Sequence, residues 1–305
     1  MAQPPASASV AVIGLGSMGF GMAQSLRRAG LAVTGCDIDE AVRACFAAEI
    51  GRAAATPGEA AADASVVVCV VVNARQTEAV LFDPRGVAAT MPAGAVFVSS
   101  ATMDPDVARQ LASRLEATGR LYLDAPISGG AQRAAEGALT ILASGSAAAF
   151  ATARPALDAM AAKLYELGEA PGIGASFKMI NQLLAGVHIA TAAEAMALAA
   201  KAGADTRAVY EVISASAGNS WMFGNRVPHM LDDDYSPLSA VEIFVKDLGL
   251  VLNTGHEHRL PLPMAAAAHQ LFLAAAGAGW GRLDDAAVVK VYEQAGDFKV
   301  SSAKK

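Results

Sequence analysis

Up to about residue 170, the chain alternates short apolar runs with longer segments of mixed character. Five of the runs are rich in β-branched residues and have the length of strands: "SVAVIGL", "AVTGCDI", "ASVVVCVVV", "AVFVSSA" and "LYLDAPI". Ala-rich helical segments lie between several of them, and strands that alternate with helices form parallel βαβ units. The pattern therefore predicts a doubly wound parallel sheet, to which "GALTILASG" and "KLYELG" add two later strands.

After Gly174 the β-branched runs disappear and the pattern becomes helical. The apolar stretch 175–202 contains no proline and predicts one long helix, and runs near 205–217, 238–257, 262–278 and 283–295 predict further helices. The segment "SWMFGNRVPHML" precedes the last helices, with His229 expected in a loop. We therefore expect a disordered tail over 1–8, an α/β domain over 9–173, and an all-α domain over 174–305 that begins with a long interdomain helix.

Composition narrows the possible partners. Of the 305 residues, 54% are hydrophobic and 17% charged, which is enough for two packed domains. The net charge is −6 and the basic residues are scattered, which argues against a nucleic-acid partner. The long apolar helix has the length of a membrane span, but polar side chains interrupt it, and we expect no membrane association. These are Asn181, Gln182, His188, Glu194 and Lys201.

The start of the chain and its cysteines indicate the cytoplasm. "MAQPPASAS" has no basic segment before an apolar core, so it does not resemble a signal peptide. Cys36, Cys45 and Cys69 are odd in number and form no C-x-x-C pair. We interpret all three as reduced thiols in the core.

A glycine pattern follows the first predicted strand. In "VAVIGLGSMGFGMAQSL", the three glycines of a G-x-G-x-x-G sequence lie where a strand turns into a helix, which allows the backbone to approach a pyrophosphate closely. A glycine-rich turn in another kind of α/β protein is the alternative. Asp37 ends the second strand about 20 residues later, where a carboxylate binds ribose hydroxyls and repels a 2′-phosphate. We therefore predict a Rossmann-type domain that binds NAD through Gly14, Leu15, Gly16, Ser17, Met18, Gly19, Asp37, Ile38 and Val72.

Two further turns lie at the ends of predicted strands. Ser128, Gly129 and Gly130 would expose consecutive N–H groups and a hydroxyl, which suit a carboxylate, although a hairpin or a helix cap explains them equally well. Thr102 follows another strand at the carboxyl edge, where open α/β sheets bind ligands, and a helix cap by Thr102 or Asp104 is the alternative.

Lys178 is a lone cation between Phe177 and Met179 in the apolar helix. On a helix it shares one face with Asn181 and Gln182, which would form a polar stripe facing a cleft. An amine with the ordinary pKa of about 10.4 is a poor base, but burial and the positive end of the helix would lower that pKa. We predict a general acid/base, and a surface lysine that covers apolar area is the alternative.

Four motifs, in order along the chain, resemble those of the β-hydroxyacid dehydrogenase family. They are "GLGSMGFGMA" (14–23), "DAPISGG" (124–130), "GIGASFKMIN" (172–181) and "KDLG" (246–249). The resemblance covers residues 9–296 and implies NAD-dependent oxidation of a small hydroxy acid. It also implies that Lys178 is the catalytic acid/base, that Ser128, Gly129 and Gly130 bind the substrate carboxylate, and that Thr102, Phe244 and Lys246 lie near the cofactor.

Two departures from the family pattern concern the substrate. Ala101-Thr102 stands where the family usually has Ser-Thr, and Asn181-Gln182 stands where it usually has Asn-Asn. The longer Gln182, with Asn181 and Asn225 as further polar candidates, predicts a polyhydroxylated substrate in place of 3-hydroxyisobutyrate. A 3-hydroxyisobutyrate or tartronate semialdehyde enzyme, an imine reductase, and a cofactor-binding sensor or scaffold are the alternatives.

The sequence also bears on metal binding and on oligomeric state. We expect no metal, because "HEH" at 256–258 has no second cluster to support it. We also expect a homodimer or homotetramer, because an apolar helical domain usually finds a partner.

Overall fold

The computed structural model describes residues 9–301, so the predicted tail 1–8 lies outside the described residues. The chain divides into two compact units, Met1–Lys178 and Met179–Lys305. The first holds the strands and the second is helical, and the division falls inside one long helix.

The first unit contains a nine-stranded sheet in the order β3-β2-β1-β4-β5-β6-β8-β7, with β9 paired to β8. The strands β3, β2, β1, β4, β5 and β6 run parallel, and β8 is antiparallel to β6 and β7. The predicted doubly wound fold is confirmed, with an antiparallel edge. The bounds are β1 Ser9–Ile13, β2 Ala32–Cys36, β3 Arg52–Ala54, β4 Val66–Cys69, β5 Val96–Ser99, β6 Leu121–Asp124, β7 Ile127–Ser128, β8 Leu139–Gly145 and β9 Ala161–Glu166.

Helices cover both faces of this sheet. Alternate residues of β4 show why its sequence is continuously apolar: Val66 and Val68 belong to one core, and Val67 and Cys69 belong to the other. Both cores are closed by apolar helix faces. The helices are α1 Gly19–Arg28, α2 Glu40–Glu49, α3 Pro57–Ala61, α4 Ala74–Phe82, α5 Pro105–Glu116, α6 Gly130–Glu136 and α7 Ala147–Met160.

The second unit packs its helices around one apolar core that includes Phe223, Leu248 and Phe272. The long predicted helix is α8, Ile173–Lys201, which begins in the first unit. The others are α9 Thr206–Ser214, α10 Trp221–Asp232, α11 Val241–Glu257, α12 Pro263–Ala275 and α13 Val289–Gly296. A π-helical turn, Ala276–Trp280, and a 3₁₀ turn, Asp285–Val288, adjoin the last two.

Helix α10 and one cysteine correct the sequence-based expectations. His229 lies in the last turn of α10 and not in a loop, because the Ser220 side chain caps the helix and Pro228 is accommodated inside it. Cys45 is exposed and not in the core, because α2 buries its neighbour Phe46. Cys36 and Cys69 are buried as expected, and burial raises the pKa of their thiols to about 11 and about 12.

Helix α8 has the length and hydropathy of a membrane span, the one such helix within residues 9–301. Half of its most apolar window is buried inside the protein. This is the pattern of a helix that packs within a protein core.

Two side chains of the sheet fix the first turn of α8. Asp124 Oδ2 accepts hydrogen bonds from the N–H groups of Gly172, at 2.9 Å, and Ala175, at 2.8 Å. Ser144, paired with Asp124 across β6 and β8, accepts the N–H of Gly174 at 3.0 Å. N–H groups in the first turn of a helix have no partner within the helix, and here the sheet supplies them.

The start of α8 has no room for larger residues. Gly172 has a φ of +92°, and a Cβ there would lie 2.8 Å from the carbonyl oxygen of Pro105. A Cβ on Gly174 would collide with the carbonyl oxygen of Leu142. Both glycines are therefore required where the helix leaves the sheet.

Asp124 makes stability depend on pH. Burial raises its pKa from 3.8 to about 6, although hydrogen bonds from Ala175 and Gly172 oppose the shift. The native protein therefore binds this proton more tightly than the unfolded chain, so the contribution of Asp124 to the free energy of unfolding is lost as pH rises through that window. We expect a loss of up to roughly 3 kcal/mol, at about 1.4 kcal/mol per pKa unit.

Asp124→Asn is the matched variant, because it keeps an acceptor oxygen but does not titrate in this range. Chemical denaturation from pH 4 to pH 8 should show the wild type losing stability relative to Asp124→Asn as pH rises through about 6, with the difference constant above about pH 7. A stability difference that stays constant with pH contradicts the assignment.

Candidate active site

The glycine pattern forms the loop between β1 and α1. Gly14 has a φ of +91°, and a Cβ there would collide with the carbonyl oxygen of Val70; a Cβ on Gly19 would collide with the carbonyl oxygen of Gly14. A Cβ on Gly16 would have no heavy atom within 4 Å, so the space beside this residue is open. Met18 at the N-cap of α1 makes no side-chain cap. The helix start can therefore accept an anionic group, as the motif predicts.

Asp37 joins this loop to the end of β2. Its carboxylate accepts the N–H of Leu15 at 2.7 Å through one oxygen and the N–H of Asp39 at 3.0 Å through the other. Asp39 itself caps α2 by accepting the N–H of Ala41 at 2.8 Å. Of the two acids, Asp37 is therefore the one held against the glycine loop.

Apolar side chains stand exposed on either side of the loop. Ile38, which follows β2, is fully exposed, and Val72, beyond the end of β4, is 49% exposed. Since β1 lies between β2 and β4, the two side chains flank the carboxyl end of β1. Both residues belong to the predicted cofactor set.

Arg43 lies beside the same strand end. Its guanidinium donates to the backbone carbonyls of Asp37, at 2.7 Å, and Ile38, at 3.1 Å. Arg43, the arginine nearest to Asp37 in the sequence, is therefore hydrogen-bonded to the backbone of the segment that follows β2.

Sequence reasoning overlooked Ser100, which follows β5. This residue is 7% exposed, and its hydroxyl has no hydrogen-bond partner among residues 9–301. A buried hydroxyl without a partner costs about 1–3 kcal/mol, which a ligand would offset. Its position at the carboxyl edge of the sheet, beside the half-buried Thr102, is the signal that would have identified it.

The Ser128-Gly129-Gly130 turn follows β7 and begins α6. Gly129 and Gly130 have φ values of 143° and 80°, and Gly129, at the N-cap of α6, provides no side-chain cap. A Cβ on Gly130 would have nothing within 4 Å. The turn is therefore open on the side where a carboxylate is expected.

Helix α6, which begins at this turn, packs closely on α1, which begins at the dinucleotide loop. A Cβ on Gly21 would lie 2.7 Å from the backbone nitrogen of Ala135, and Ser25 Oγ donates to the carbonyl of Ala134 at 2.7 Å. The small residues of "GLGSMGFGMA" and "DAPISGGAQRAA" thus allow two helices to touch at backbone distance.

Lys178 lies in the second turn of α8, shortly after the buried start capped by Asp124. Its side chain is 7% exposed, whereas its neighbour Phe177 is 49% exposed. A buried lysine near the fixed end of a helix has the surroundings expected of a functional amine more than of a surface cation.

A chain of polar groups begins one turn further along α8. Asn181 Nδ2 donates to Gln182 Oε1 at 2.9 Å, and Gln182 Nε2 donates to Asp247 Oδ2 at 2.6 Å. Asp247 Oδ1 forms an ion pair with Lys246 Nζ at 2.8 Å. Gln182 and Asp247 are buried, while Asn181 is exposed.

The two remaining candidates lie elsewhere in the helical unit. Asn225 on α10 accepts a hydrogen bond from Arg226, whose guanidinium pairs with the buried carboxylate of Asp285. Phe244 on α11 is 2% exposed and stacks on Phe272, with ring centroids 5.2 Å apart. The roles of Asn225 with substrate and of Phe244 with cofactor stay predictions.

These groups fit a dinucleotide. The open loop at Gly16, the carboxylate of Asp37 and the unpartnered hydroxyl of Ser100 are the donors, acceptors and space that a nicotinamide nucleotide requires. Within residues 9–301, no cluster of three or more His, Cys, Asp or Glu side chains is arranged to hold a metal ion.

Comparison with known proteins gives the same assignment. Residues 9–168 match the family of the NAD-binding domain of 6-phosphogluconate dehydrogenase. Residues 172–292 match the family described as the NAD-binding part of NADP-dependent 3-hydroxyisobutyrate dehydrogenase.

Individual relatives cover nearly the whole chain. The L-threonate dehydrogenase of Cupriavidus necator is 55% identical over 94% of this chain and 96% of its own, and that of Haemophilus influenzae is 48% identical over 93% and 95%. The crystal structure of 3-hydroxyisobutyrate dehydrogenase from Salmonella typhimurium superposes with a TM-score of 0.89 at 49% identity, covering 93% of this chain and 100% of that one. The chain therefore belongs to the β-hydroxyacid dehydrogenase family and is an NAD-dependent dehydrogenase of small hydroxy acids.

Proposed function

We propose that this protein oxidises L-threonate at carbon 2 to 2-oxo-tetronate. The observation that carries the proposal is that relatives between 46% and 55% identical, over at least 93% of the chain, are L-threonate dehydrogenases. The exposed Asn181 on α8 supports the same substrate class, because its amide can form a hydrogen bond with a hydroxyl of a polyhydroxy acid and not with a methyl group.

A 3-hydroxyisobutyrate dehydrogenase is the second candidate. The Salmonella typhimurium structure carries that name and is 49% identical to this chain. Tartronate semialdehyde reduction is a third candidate, which the resemblance to the family leaves open.

In the proposed mechanism, the predicted residues divide into those that hold the cofactor and those that hold the substrate. Residues Gly14–Gly19 and Asp37 would hold NAD, with Ile38, Val72, Thr102, Phe244 and Lys246 as further contacts. Bound NAD supplies the hydride acceptor. Ser128, Gly129 and Gly130 would bind the substrate carboxylate through the hydroxyl and backbone N–H groups.

Lys178 would act on the reacting hydroxyl. Its neutral amine accepts the hydroxyl proton while the hydride leaves carbon 2, and in the reverse direction its ammonium returns that proton to the carbonyl oxygen. Asn181, one turn further along α8, would orient this oxygen or a neighbouring hydroxyl. Gln182 would support Asn181 through their hydrogen bond, and Asn225 would be a further contact.

We further propose that the protein works in the cytoplasm as a homodimer or homotetramer, without nucleic-acid or membrane partners. The net charge of −6 supports the absence of a nucleic-acid partner. Exposed apolar side chains of the helical unit, which a second copy would cover, support oligomers. They include Leu198 at 71%, Val212 at 63%, Trp221 at 58% and Met264 at 64% exposure.

The first prediction concerns cofactor choice at Asp37. The wild type should have a higher kcat/KM with NAD than with NADP, and Asp37→Ser should lower that preference by about 10-fold or more, because it removes the ribose acceptor and the repulsion of a 2′-phosphate. Asp39→Ser is the matched control, because it removes the same charge at a helix N-cap where serine can still cap. An equal or higher kcat/KM with NADP in the wild type contradicts the assignment and directs attention to Arg43.

The second prediction concerns Lys178. Lys178→Ala should lower kcat by about 10²–10⁴ while NADH binding, measured by fluorescence titration, stays nearly unchanged. Lys163→Ala removes an exposed lysine of the same unit and should leave kcat unchanged. If Lys178→Ala keeps half of the activity, the residue is structural.

The third prediction concerns substrate choice. L-threonate should have a higher kcat/KM than D-erythronate and 3-hydroxyisobutyrate. A methyl group against the Asn181 amide would leave it unpaired once the substrate covers it, which costs about 1–3 kcal/mol, or roughly 5- to 150-fold. If 3-hydroxyisobutyrate is preferred, the polar-site argument fails, and if D-erythronate is preferred, the stereochemical assignment fails.

A further inference from the structure

Asp247 determines which way the side-chain amides of Gln182 and Asn181 are oriented. A carboxylate only accepts hydrogen bonds, so the Gln182 atom 2.6 Å from Asp247 Oδ2 is the amide nitrogen. The other end of the Gln182 amide is then the oxygen, which faces Asn181. The Asn181 atom 2.9 Å from that oxygen is in turn its nitrogen.

This order leaves one arrangement for Asn181. Its Nδ2 is directed at Gln182, so its Oδ1 and one remaining N–H hydrogen are available on the exposed side of the residue. An acceptor oxygen so placed binds a hydroxyl, which donates, but not a methyl group or an ether oxygen.

We propose that Asp247 is a positioning residue that acts through Gln182 to make Asn181 present its carbonyl oxygen to a substrate hydroxyl. The assignment of a hydroxy-acid substrate to this part of α8 rests on the proposed function. Gln182 then contributes through Asn181, because both ends of its own amide are engaged within the protein.

The length of Gln182 has a physical reason in this arrangement. Its amide spans from Asn181, next to it on α8, to Asp247 on α11. An asparagine, which the family usually has here, is one methylene shorter and would lose the contact at one end. The presence of Gln182 in place of the usual asparagine therefore suits a site that recognises substrate hydroxyl groups.

Burial makes the relay effective. Asp247 is 1% exposed and Gln182 is 7% exposed, so water competes little for either hydrogen bond. Lys246 pairs with Oδ1 of Asp247, and the other oxygen, Oδ2, accepts from Gln182. Hydrogen bonds to charged groups are the stronger class, so this end fixes the direction of the chain.

A double-mutant cycle of Gln182→Glu and Asp247→Asn tests the relay. Gln182→Glu alone places two carboxylates, those of residues 182 and 247, against each other where Gln182 now donates to Asp247. Asp247→Asn alone removes the carboxylate that fixes the direction, so the amides of Gln182 and Asn181 can both reverse. The double variant restores the order, because the amide nitrogen of the new asparagine donates to the new carboxylate, which still accepts from Asn181. The net charge of the pair is also unchanged in the double variant.

The main readout is the ratio of kcat/KM for L-threonate to kcat/KM for 3-hydroxyisobutyrate. Asp247→Asn should lower this ratio by about 10- to 100-fold, and Gln182→Glu should lower it less, because the new carboxylate still accepts from Asn181. The double variant should return to within about threefold of the wild type. NADH binding should stay unchanged throughout. Gln294→Glu, at an exposed position of the helical unit, is the matched control for the first substitution and should leave the ratio unchanged.

Melting temperatures separate this inference from the proposed function. The single variants should melt lower than the wild type and the double variant should recover, which tests the hydrogen-bond chain without substrate. If the wild type does not oxidise L-threonate, the proposed function fails. The inference about Asp247 is then tested by the melting temperatures of the four proteins and by the same kinetic comparison on the best substrate found. Additive effects of the two substitutions on the ratio, or a double variant as poor as the worse single one, would overturn it.

Discussion

The start of helix α8 is the constraint on which the candidate site depends. Its first turn is buried, so its N–H groups need partners, and Asp124 and Ser144 at the edge of the sheet supply them. Gly172 and Gly174 let the backbone come close enough for these bonds. The helix therefore leaves the sheet at a fixed position, and Lys178 follows in its second turn. A catalytic group on a helix anchored in this way is held more precisely than one on a loop.

The same helix shows how polar groups are tolerated in an apolar segment. Gln182 is buried but has a partner at each end of its amide, and the buried Asp247 has a hydrogen bond from Gln182 and an ion pair with Lys246. Removing one member would leave a buried polar atom unsatisfied, which costs more than the hydrogen bond itself contributes. Such a network has one favourable arrangement, so it specifies the orientation of the exposed Asn181.

Much of the first unit could be predicted from sequence because its signals are local. Apolar runs predicted strands β1, β2, β4, β5 and β6, and the glycine spacing predicted the turn after β1 to which Asp37 is hydrogen-bonded. Helix α10 was missed because Gly224 and Pro228 interrupt its pattern, whereas capping by Ser220 and packing of Phe223 stabilise it. The exposure of Cys45 depends on which face of α2 meets the sheet, which composition does not reveal.

The contacts that hold the candidate site lie between residues distant in sequence. Asp124 lies 48 residues before Gly172, and Gln182 lies 65 residues before Asp247. Sequence reasoning placed Asp124 within a substrate motif and Gln182 directly on substrate, because the partner of each becomes apparent only after folding. The unpartnered hydroxyl of Ser100 is a similar case, since its burial depends on the packing of the sheet.

We propose above that the amine of Lys178 accepts the proton of the reacting substrate hydroxyl. Chemical rescue of Lys178→Ala by added ethylamine tests it most directly, because a small free amine can replace the missing side chain. We predict that the rate of L-threonate oxidation by this variant rises in proportion to the concentration of the neutral amine, with tetramethylammonium at equal concentration giving no rescue. Equal rescue by both compounds would mean that only a positive charge is needed, and it would contradict the assignment of Lys178 as the general acid/base.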